Sequence, residues 1–254
     1  RMTVKVALIG ESLPCEVRLF DIGGAPAFVY LPTNAARLPN KKLSSTPWVW
    51  YAPTFVGGNP SHENAWLFKR WLDEGFAIAG VEVGESYGNP VGRDIYTSFH
   101  NHLVSELGFS SRAALHPQSR GGLMLYNWAA EHPESVACVS GIFPVCDLRS
   151  YPGLETAALA YGMTTEQLEA VLSDHNPVDR LAPLIADGVP ILHIHGDSDE
   201  PVPIEANSGE LVRRYRELGG DAQVIIVPGK GHAAIPEYFE REELAEFVIR
   251  LGIQ

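Results

Sequence analysis

A serine in the stretch LHPQSRGGL, residues 115–123, is the first candidate for chemistry in this sequence. Ser119 stands between a short apolar run and an amphipathic stretch, where a strand would turn into a helix. A serine exposed on such a turn becomes a nucleophile once a neighbouring base accepts its proton. The motif for that turn is Gly-x-Ser-x-Gly. Here Pro117 replaces the first glycine, so an ordinary loop serine is the competing interpretation.

Two acids and a histidine follow later apolar runs. Asp197 and Asp199 come directly after VPILHIHG, and His232 lies on a glycine-flanked loop after AQVIIVPG. An imidazole titrates near neutral pH and can accept and return a proton, while a carboxylate fixes its tautomer. The chain order Ser, Asp, His therefore predicts a catalytic triad in which either aspartate could serve. Asp147, which follows another apolar run, is the reserve candidate for the acid.

The elements that must position these residues alternate along the chain. Eight apolar runs predict strands, at residues 16–22, 25–31, 47–53, 76–83, 112–115, 135–145, 189–196 and 222–229. Helical periodicity marks the segments 62–75, 95–108, 122–132, 204–220 and 238–252. This alternation predicts an α/β fold, with a mostly parallel sheet of about eight strands and helices on both faces. Such sheets bind ligands beyond the carboxyl ends of their strands, where all three candidate segments lie.

The length fits one large domain over residues 1–254. Gly23-Gly24 between the first two strands predicts a hairpin, and the polar segment 32–46 predicts a surface connection. Residues 148–188 interrupt the alternation with helical pieces and several turn signals. An insertion of that size between two sheet strands predicts a lid or a pocket wall.

Composition excludes some partners. The net charge of −12 argues against nucleic acid or an anionic membrane as the main partner, because both bind clusters of Lys and Arg. No apolar run approaches the length of a membrane span, and the composition is typical of a soluble protein. No targeting segment is visible, but the start Arg1-Met2 is typical of a trimmed end, so the compartment stays open. Of the three cysteines, which allow at most one disulfide, Cys138 is expected to be buried.

Three segments of the sequence resemble the α/β-hydrolase superfamily, and more narrowly its dienelactone-hydrolase-like and prolyl-oligopeptidase-like branches. They are QSRGG (118–122), HGDSDEPVP (195–203) and PGKGH (228–232), within a resemblance that covers residues 16–252. In such proteins the second segment typically reads His-Gly-x-x-Asp-x-x-Val-Pro. Matched onto this chain, the resemblance assigns the catalytic acid to Asp199.

The resemblance also implies an oxyanion hole, although the usual His-Gly pattern is missing after the strand WVWY. One donor should be the backbone N–H of Arg120, next to the nucleophile. The other should come from the turn APTFVGG (52–58), where Pro53 has no N–H and Thr54 or Phe55 is the better candidate. Phe55 and Tyr87, in loops that follow strands, and the side chain of Arg120 are the candidates for binding substrate.

The histidine pairs do not predict a metal site. His193 and His195 point to the same face of one strand, but no third ligand has a clear spacing, so structural roles are expected. His100 and His102 lie two apart on a helix and face different directions. We therefore predict no metal and no cofactor.

Together these features predict a serine hydrolase that cleaves a carboxylic ester of a small molecule or saccharide through an acyl-enzyme. The resemblance to carbohydrate-associated bacterial hydrolases points to acylated saccharides, and the lack of a propeller-sized domain disfavours a peptidase. A lactone or thioester hydrolase with the same triad stays open. So does a non-catalytic ligand-binding protein, if Pro117 distorts the turn. The oligomeric state is not predicted.

Overall fold

The computed structural model describes residues 2–33 and 44–253, so most of the predicted surface connection at 32–46 lies outside the described residues. All eight predicted strands are present. They are β1 (Cys15–Ile22), β2 (Ala25–Pro32), β3 (Trp48–Ala52), β4 (Ala77–Val81), β5 (Ala113–Pro117), β6 (Val136–Ile142), β7 (Ile191–Gly196) and β8 (Ala222–Val227).

The strands form one mostly parallel sheet in the order β1-β2-β4-β3-β5-β6-β7-β8. The hairpin at Gly23-Gly24 joins β1 and β2, and β2 also pairs antiparallel with β4. Every other neighbouring pair is parallel. The predicted α/β fold is confirmed, and the carboxyl ends of β3 and β5 to β8 meet at one edge of the sheet.

Helices cover both faces of the sheet. Those described are α1 (Met2–Glu11), α2 (Ala65–Asp73), α3 (Pro90–Leu107), α4 (Gly121–Glu131), α5 (Leu154–Tyr161), α6 (Thr165–Ala170), α7 (Ala182–Ala186), α8 (Ser208–Glu217), α9 (Pro236–Phe239) and α10 (Glu242–Leu251).

Several helical elements differ from expectation, among them α8, which begins four residues after the predicted start at 204. Helix α1 was not predicted; along it Val6 and Ile9 are buried, whereas Leu8 is exposed. Helix α3 begins five residues before the predicted segment, with Asn89 as its N-cap and Pro90 at its first position. The segment 238–252 is not one helix, because α9 ends at Phe239 and α10 begins at Glu242.

Side chains of the central strands alternate between two apolar layers. Trp48 and Trp50 on β3 pack with α3 and α4, whereas Val49 and Tyr51 pack with α2 and α10. The period of two along each strand sends neighbouring side chains to opposite faces. Cys138 on β6 is fully buried, as predicted. The central strands β3 to β7 are therefore buried on both faces, and the carboxyl edge of the sheet is held in a fixed register.

The insertion at 148–188 packs beside the start of α4. Its apolar side chains form a small cluster with Leu123, and Tyr87 packs against it. The guanidinium of Arg93, which is only 6% exposed, anchors it by contacting Nδ1 of His175 at 3.0 Å and the carboxylate of Glu131 at 3.3 Å. These contacts hold the insertion against α3 and α4.

Helix α4 starts in close contact with two strand ends. A Cβ at Gly121 would overlap the carbonyl of Ala52, and one at Gly122 would overlap the carbonyl of Val145. The glycine pair therefore lets the helix begin directly behind the strands, which fixes the turn that carries Ser119.

Replacing Gly121 with Ala should destabilise the fold, because the added methyl meets rigid backbone. We expect the free energy of unfolding to fall by about 1–3 kcal/mol, measured by urea denaturation. Gly231→Ala is a matched control, since its Cβ would meet only the carbonyl of Ser198 at 3.4 Å. Equal stability of the two variants would contradict this account.

Candidate active site

Ser119 lies on a sharp turn between β5 and α4. Its φ of +50° is in the left-handed region, which non-glycine residues rarely adopt. Its N–H donates to the carbonyl of Ile142 at 3.0 Å, and its carbonyl accepts from the N–H of Val145 at 2.8 Å and of Gly122 at 3.0 Å. Pro117 is the last residue of β5, so the turn forms directly after it.

The side chains of Ser119, His232 and Asp199 form a hydrogen-bonded series. Oγ of Ser119 lies 2.8 Å from Nε2 of His232, and Nδ1 of His232 lies 2.7 Å from Oδ2 of Asp199. The ring of Phe143 packs on the imidazole, with ring centres 4.1 Å apart. The serine hydroxyl can donate to Nε2 only if Nδ1 carries the proton, and the carboxylate enforces that tautomer.

The carboxylate of Asp199 is held ionised. Burial by itself raises the pKa of this group, which is 5% exposed, but the contacts from His195, from His232 and from the N–H of Val202 outweigh it. The pKa is lowered to about 2. Asp199 is therefore charged throughout the neutral range.

The other two candidate acids have structural partners. Oδ1 of Asp197 accepts from the N–H of Gly229 at 2.7 Å, which ties the loop that carries His232 to the end of β7. Oδ1 of Asp147 accepts from the side chain of Asn176 at 3.1 Å, inside the insertion. Of the three acids, Asp199 is the one that contacts His232.

Two backbone N–H groups are candidate donors to an oxyanion. The N–H of Arg120 and the N–H of Thr54 have no hydrogen-bond partner among residues 2–33 and 44–253. The N–H of Phe55 is occupied, because it donates to the carbonyl of Asn59 at 2.7 Å. Of the two residues that the sequence left open, Thr54 is thus the one whose N–H stays a candidate donor.

Sequence reasoning missed the side chain that holds this loop. Oε1 of Gln118 accepts from the hydroxyl of Tyr51 at 2.8 Å and from the amide of Asn64 at 3.0 Å. Its amide donates to Oδ1 of Asn59 at 3.4 Å. The signal available in the sequence was the position of Gln118 next to Ser119.

A depression of about 190 Å³ opens above Ser119. It is lined by Pro53, Asn59, Gln118, Ser119, Arg120, Phe143, His232, Ala233, Ala234 and Phe239.

The three predicted substrate-binding residues have different surroundings. Arg120 lines the depression and forms an ion pair with Glu85. The Phe55 ring is buried against Phe28, with ring centres 6.1 Å apart. Tyr87 packs with the insertion, and its ring centre lies 6.4 Å from that of Tyr151. Only Arg120 of the three belongs to the lining of this depression.

The predicted histidine pairs have protein partners. His193 contacts Tyr126, and His100 contacts the carbonyl of Ser111 at 2.8 Å. In the described ranges, no three His, Cys, Asp or Glu side chains are grouped so that they could hold a metal ion. None of the helices in those ranges is long and apolar enough to cross a membrane.

Comparison with protein-family models matches residues 92–249, more than half of the chain, to the prolyl oligopeptidase family, Peptidase S9. A search of curated proteins found no match.

Solved structures share the fold at low sequence identity. A puromycin-hydrolyzing peptidase of Mycobacterium tuberculosis superimposes with a TM-score of 0.72 and 17% identity, over 94% of this chain and 40% of that one. A truncated carbohydrate esterase from gut microbiota gives 0.68 and 17%, over 90% and 91%. Est1E from Butyrivibrio proteoclasticus gives 0.62 and 16%, over 92% and 98%. The chain thus spans less than half of the peptidase's length, and these likenesses establish the α/β-hydrolase fold.

The lowered pKa of Asp199 predicts how stability depends on pH. The shift from 3.8 to about 2 contributes about 2 kcal/mol of stability, present above the unfolded pKa and lost as pH falls through the folded one. Asp199→Asn removes this titration. We expect the difference in unfolding free energy between wild type and Asp199→Asn to be largest above pH 5 and to shrink toward pH 2. Urea denaturation at several pH values measures it, and a constant difference would refute the assignment.

Proposed function

The chain belongs to the prolyl oligopeptidase family of serine hydrolases, and from that premise we propose that it cleaves carboxylic esters through an acyl-enzyme on Ser119. The observation that carries the proposal is the series Ser119, His232 and Asp199, with contacts of 2.8 and 2.7 Å. The proposed assignment covers the catalytic residues as well as the ester substrate.

In the acylation step, Oγ of Ser119 attacks the ester carbonyl while Nε2 of His232 accepts its proton. The charged Asp199 stabilises the imidazolium that results. Negative charge that develops on the carbonyl oxygen is received by the N–H groups of Arg120 and Thr54. Because Arg120 immediately precedes α4, the partial positive charge at the helix start adds to this stabilisation.

The tetrahedral intermediate then collapses, and the C–O bond to the alcohol breaks as His232 returns the proton to the leaving oxygen. A water molecule enters, gives a proton to His232 and attacks the acyl carbon. The second collapse releases the carboxylic acid and restores the Ser119 hydroxyl.

The shape of the site favours a small acyl group attached to a larger polar alcohol. The depression above Ser119 holds about 190 Å³. A second depression of about 390 Å³ adjoins it and shares Ala234 and Phe239 with it. The second depression contains Trp66, flanked by Glu63 and Glu240. An aromatic face beside hydrogen-bonding groups suits a sugar ring, which has an apolar face and a polar rim, so we propose acylated saccharides as the substrate class.

Amide hydrolysis is the second candidate, favoured by the match to a peptidase family. Attack by Ser119 on an amide carbonyl would follow the same steps, and the leaving amine would take the proton from His232. An aminoacyl amide tested beside the esters separates the two functions.

Labelling with a fluorophosphonate probe tests the nucleophile. We expect a single adduct on Ser119, located by intact mass and peptide mapping. Ser119→Ala should lose the adduct and about 10⁴-fold or more in kcat on an active ester. Ser110→Ala, at a buried serine on the amino side of β5, is the control and should keep the adduct on Ser119 and the wild-type kcat. A folded wild type that takes no label would refute the proposal and favour a non-catalytic binding protein.

Replacing Trp66 with Ala tests the saccharide subsite. We expect KM for an acetylated oligosaccharide to rise about tenfold, while the kinetics on ethyl acetate stay near wild type, because only the sugar reaches this depression. Phe247→Ala, a partly buried aromatic on α10 away from Ser119, controls for general loss of packing. Equal effects of Trp66→Ala on both esters would contradict the subsite.

A further inference from the structure

A second imidazole contacts the carboxylate of Asp199. His195 on β7 is fully buried, and its Nε2 lies 2.8 Å from the carbonyl oxygen of Val202 and 3.3 Å from Oδ2 of Asp199. A carbonyl oxygen can only accept, so Nε2 must carry a proton. That N–H donates to the carbonyl of Val202 and contacts the carboxylate oxygen that also accepts the hydrogen bond from Nδ1–H of His232.

The same turn is closed from its other side. Oδ1 of Asp199 accepts from the N–H of Val202 at 2.9 Å. Apart from the contact with His232, each carboxylate oxygen of Asp199 therefore has a contact within the segment 195–202. Oδ1 accepts from the N–H of Val202, and Oδ2 lies near Nε2 of His195. The spacing His-x-x-x-Asp-x-x-Val in this segment, 195–202, brings these three residues into one closed arrangement.

A series of buried polar groups fixes the ring of His195 from behind. With one proton on each ring, Nδ1 of His195 accepts from the hydroxyl of Ser208 at 2.7 Å. Oγ of Ser208 in turn receives the Nδ1–H of His193 at 3.0 Å, and Nε2 of His193 accepts from the hydroxyl of Tyr126 at 2.6 Å. Burial lowers the pKa of His193 to about 3, which keeps that ring neutral.

We propose that His195 is a positioning residue for the reaction at Ser119, acting through Asp199, and that Ser208, His193 and Tyr126 hold its ring in the required tautomer. The inference rests on the proposed function, because Asp199 matters only if His232 is the base. The interpretation of His195 as structural alone would be complete with the contacts to Val202 and Ser208. The contact of Nε2 of His195 with Oδ2 of Asp199, at 3.3 Å, is the observation that a purely structural role does not require.

Loss of the contact between His195 and Asp199 should change the position of the Asp199 carboxylate and the strength with which its charge acts on His232. The titratable groups that face Asp199 are His195 from β7, His232 from the loop after β8 and Tyr238 from α9. Without His195, the pKa of Asp199 rises, because burial is less well compensated. The carboxylate also shares its charge with fewer donors and holds the His232 imidazolium more strongly. The stronger hold on the imidazolium moves the acidic limb of the activity profile to higher pH, whereas Asp199, whose pKa starts at about 2, stays ionised there.

The experiment measures the rate of fluorophosphonate labelling of the full chain against pH. His195→Leu should lower the rate about tenfold, since a donor to a charged group is lost, and should move the acidic limb upward. His195→Gln retains an N–H near the position of Nε2 and should restore much of the rate. His116→Leu is the matched control, because His116 is also fully buried but lies on β5 and bonds to the carbonyl of Ser140.

The outcomes separate the two proposals. A wild type that takes no label overturns the proposed function. If wild type is labelled and a folded His195→Leu matches it in rate and pH profile, His195 has a structural role only. If His195→Leu does not fold, Ser208→Ala replaces it, because this change removes only the hydroxyl that orients the ring. A smaller loss of rate with an upward shift of the limb then supports the proposal, and an unchanged profile overturns it.

Discussion

The left-handed backbone of Ser119 is the constraint on which the rest of the site depends. A non-glycine residue adopts this conformation only where its surroundings enforce it, and here the enforcement is by hydrogen bonds to Ile142, Val145 and Gly122. Those partners come from the end of β6, the loop that follows it and the start of α4. The parallel register of β5 and β6 must therefore be correct before the serine can face His232, which makes the local geometry a product of the whole sheet.

The strands and the three segments at their carboxyl ends could be predicted from sequence, because buried parallel strands leave continuous apolar runs. The choice between Asp197 and Asp199 could not be made from residue types alone. Both follow β7, and only the direction of each side chain separates the one that contacts His232 from the one that binds Gly229. The resemblance in the segment 195–203 selected Asp199, the aspartate that the structure places against His232.

Three features of the structure could not be predicted from the sequence, each for a physical reason. Helix α1 carries apolar residues on several sides, the exposed Leu8 among them, so its sequence shows no clear amphipathic face. The first turn of α3 reads as a loop because it begins with Asn89 and Pro90. An N-cap followed by proline at the first helical position is in fact a helix-start signal. The contact of His195 with Asp199 was invisible because the sequence showed only two histidines on one face of a strand, with nothing to indicate that Val202 folds back over them.

Arg120 contributes two independent groups to the site. Its backbone N–H is a hydrogen-bond donor that any residue except proline would also provide. Its guanidinium, in contrast, lines the depression and pairs with Glu85. A substitution at residue 120 can thus change the side chain that lines the depression without removing the backbone N–H. Under the proposed function, changes of side chain at 120, together with a compensating change at 85, would alter which molecules bind in the depression while leaving the proposed oxyanion donor in place. The pair offers a site at which the specificity of this scaffold can be redesigned without rebuilding its catalytic geometry.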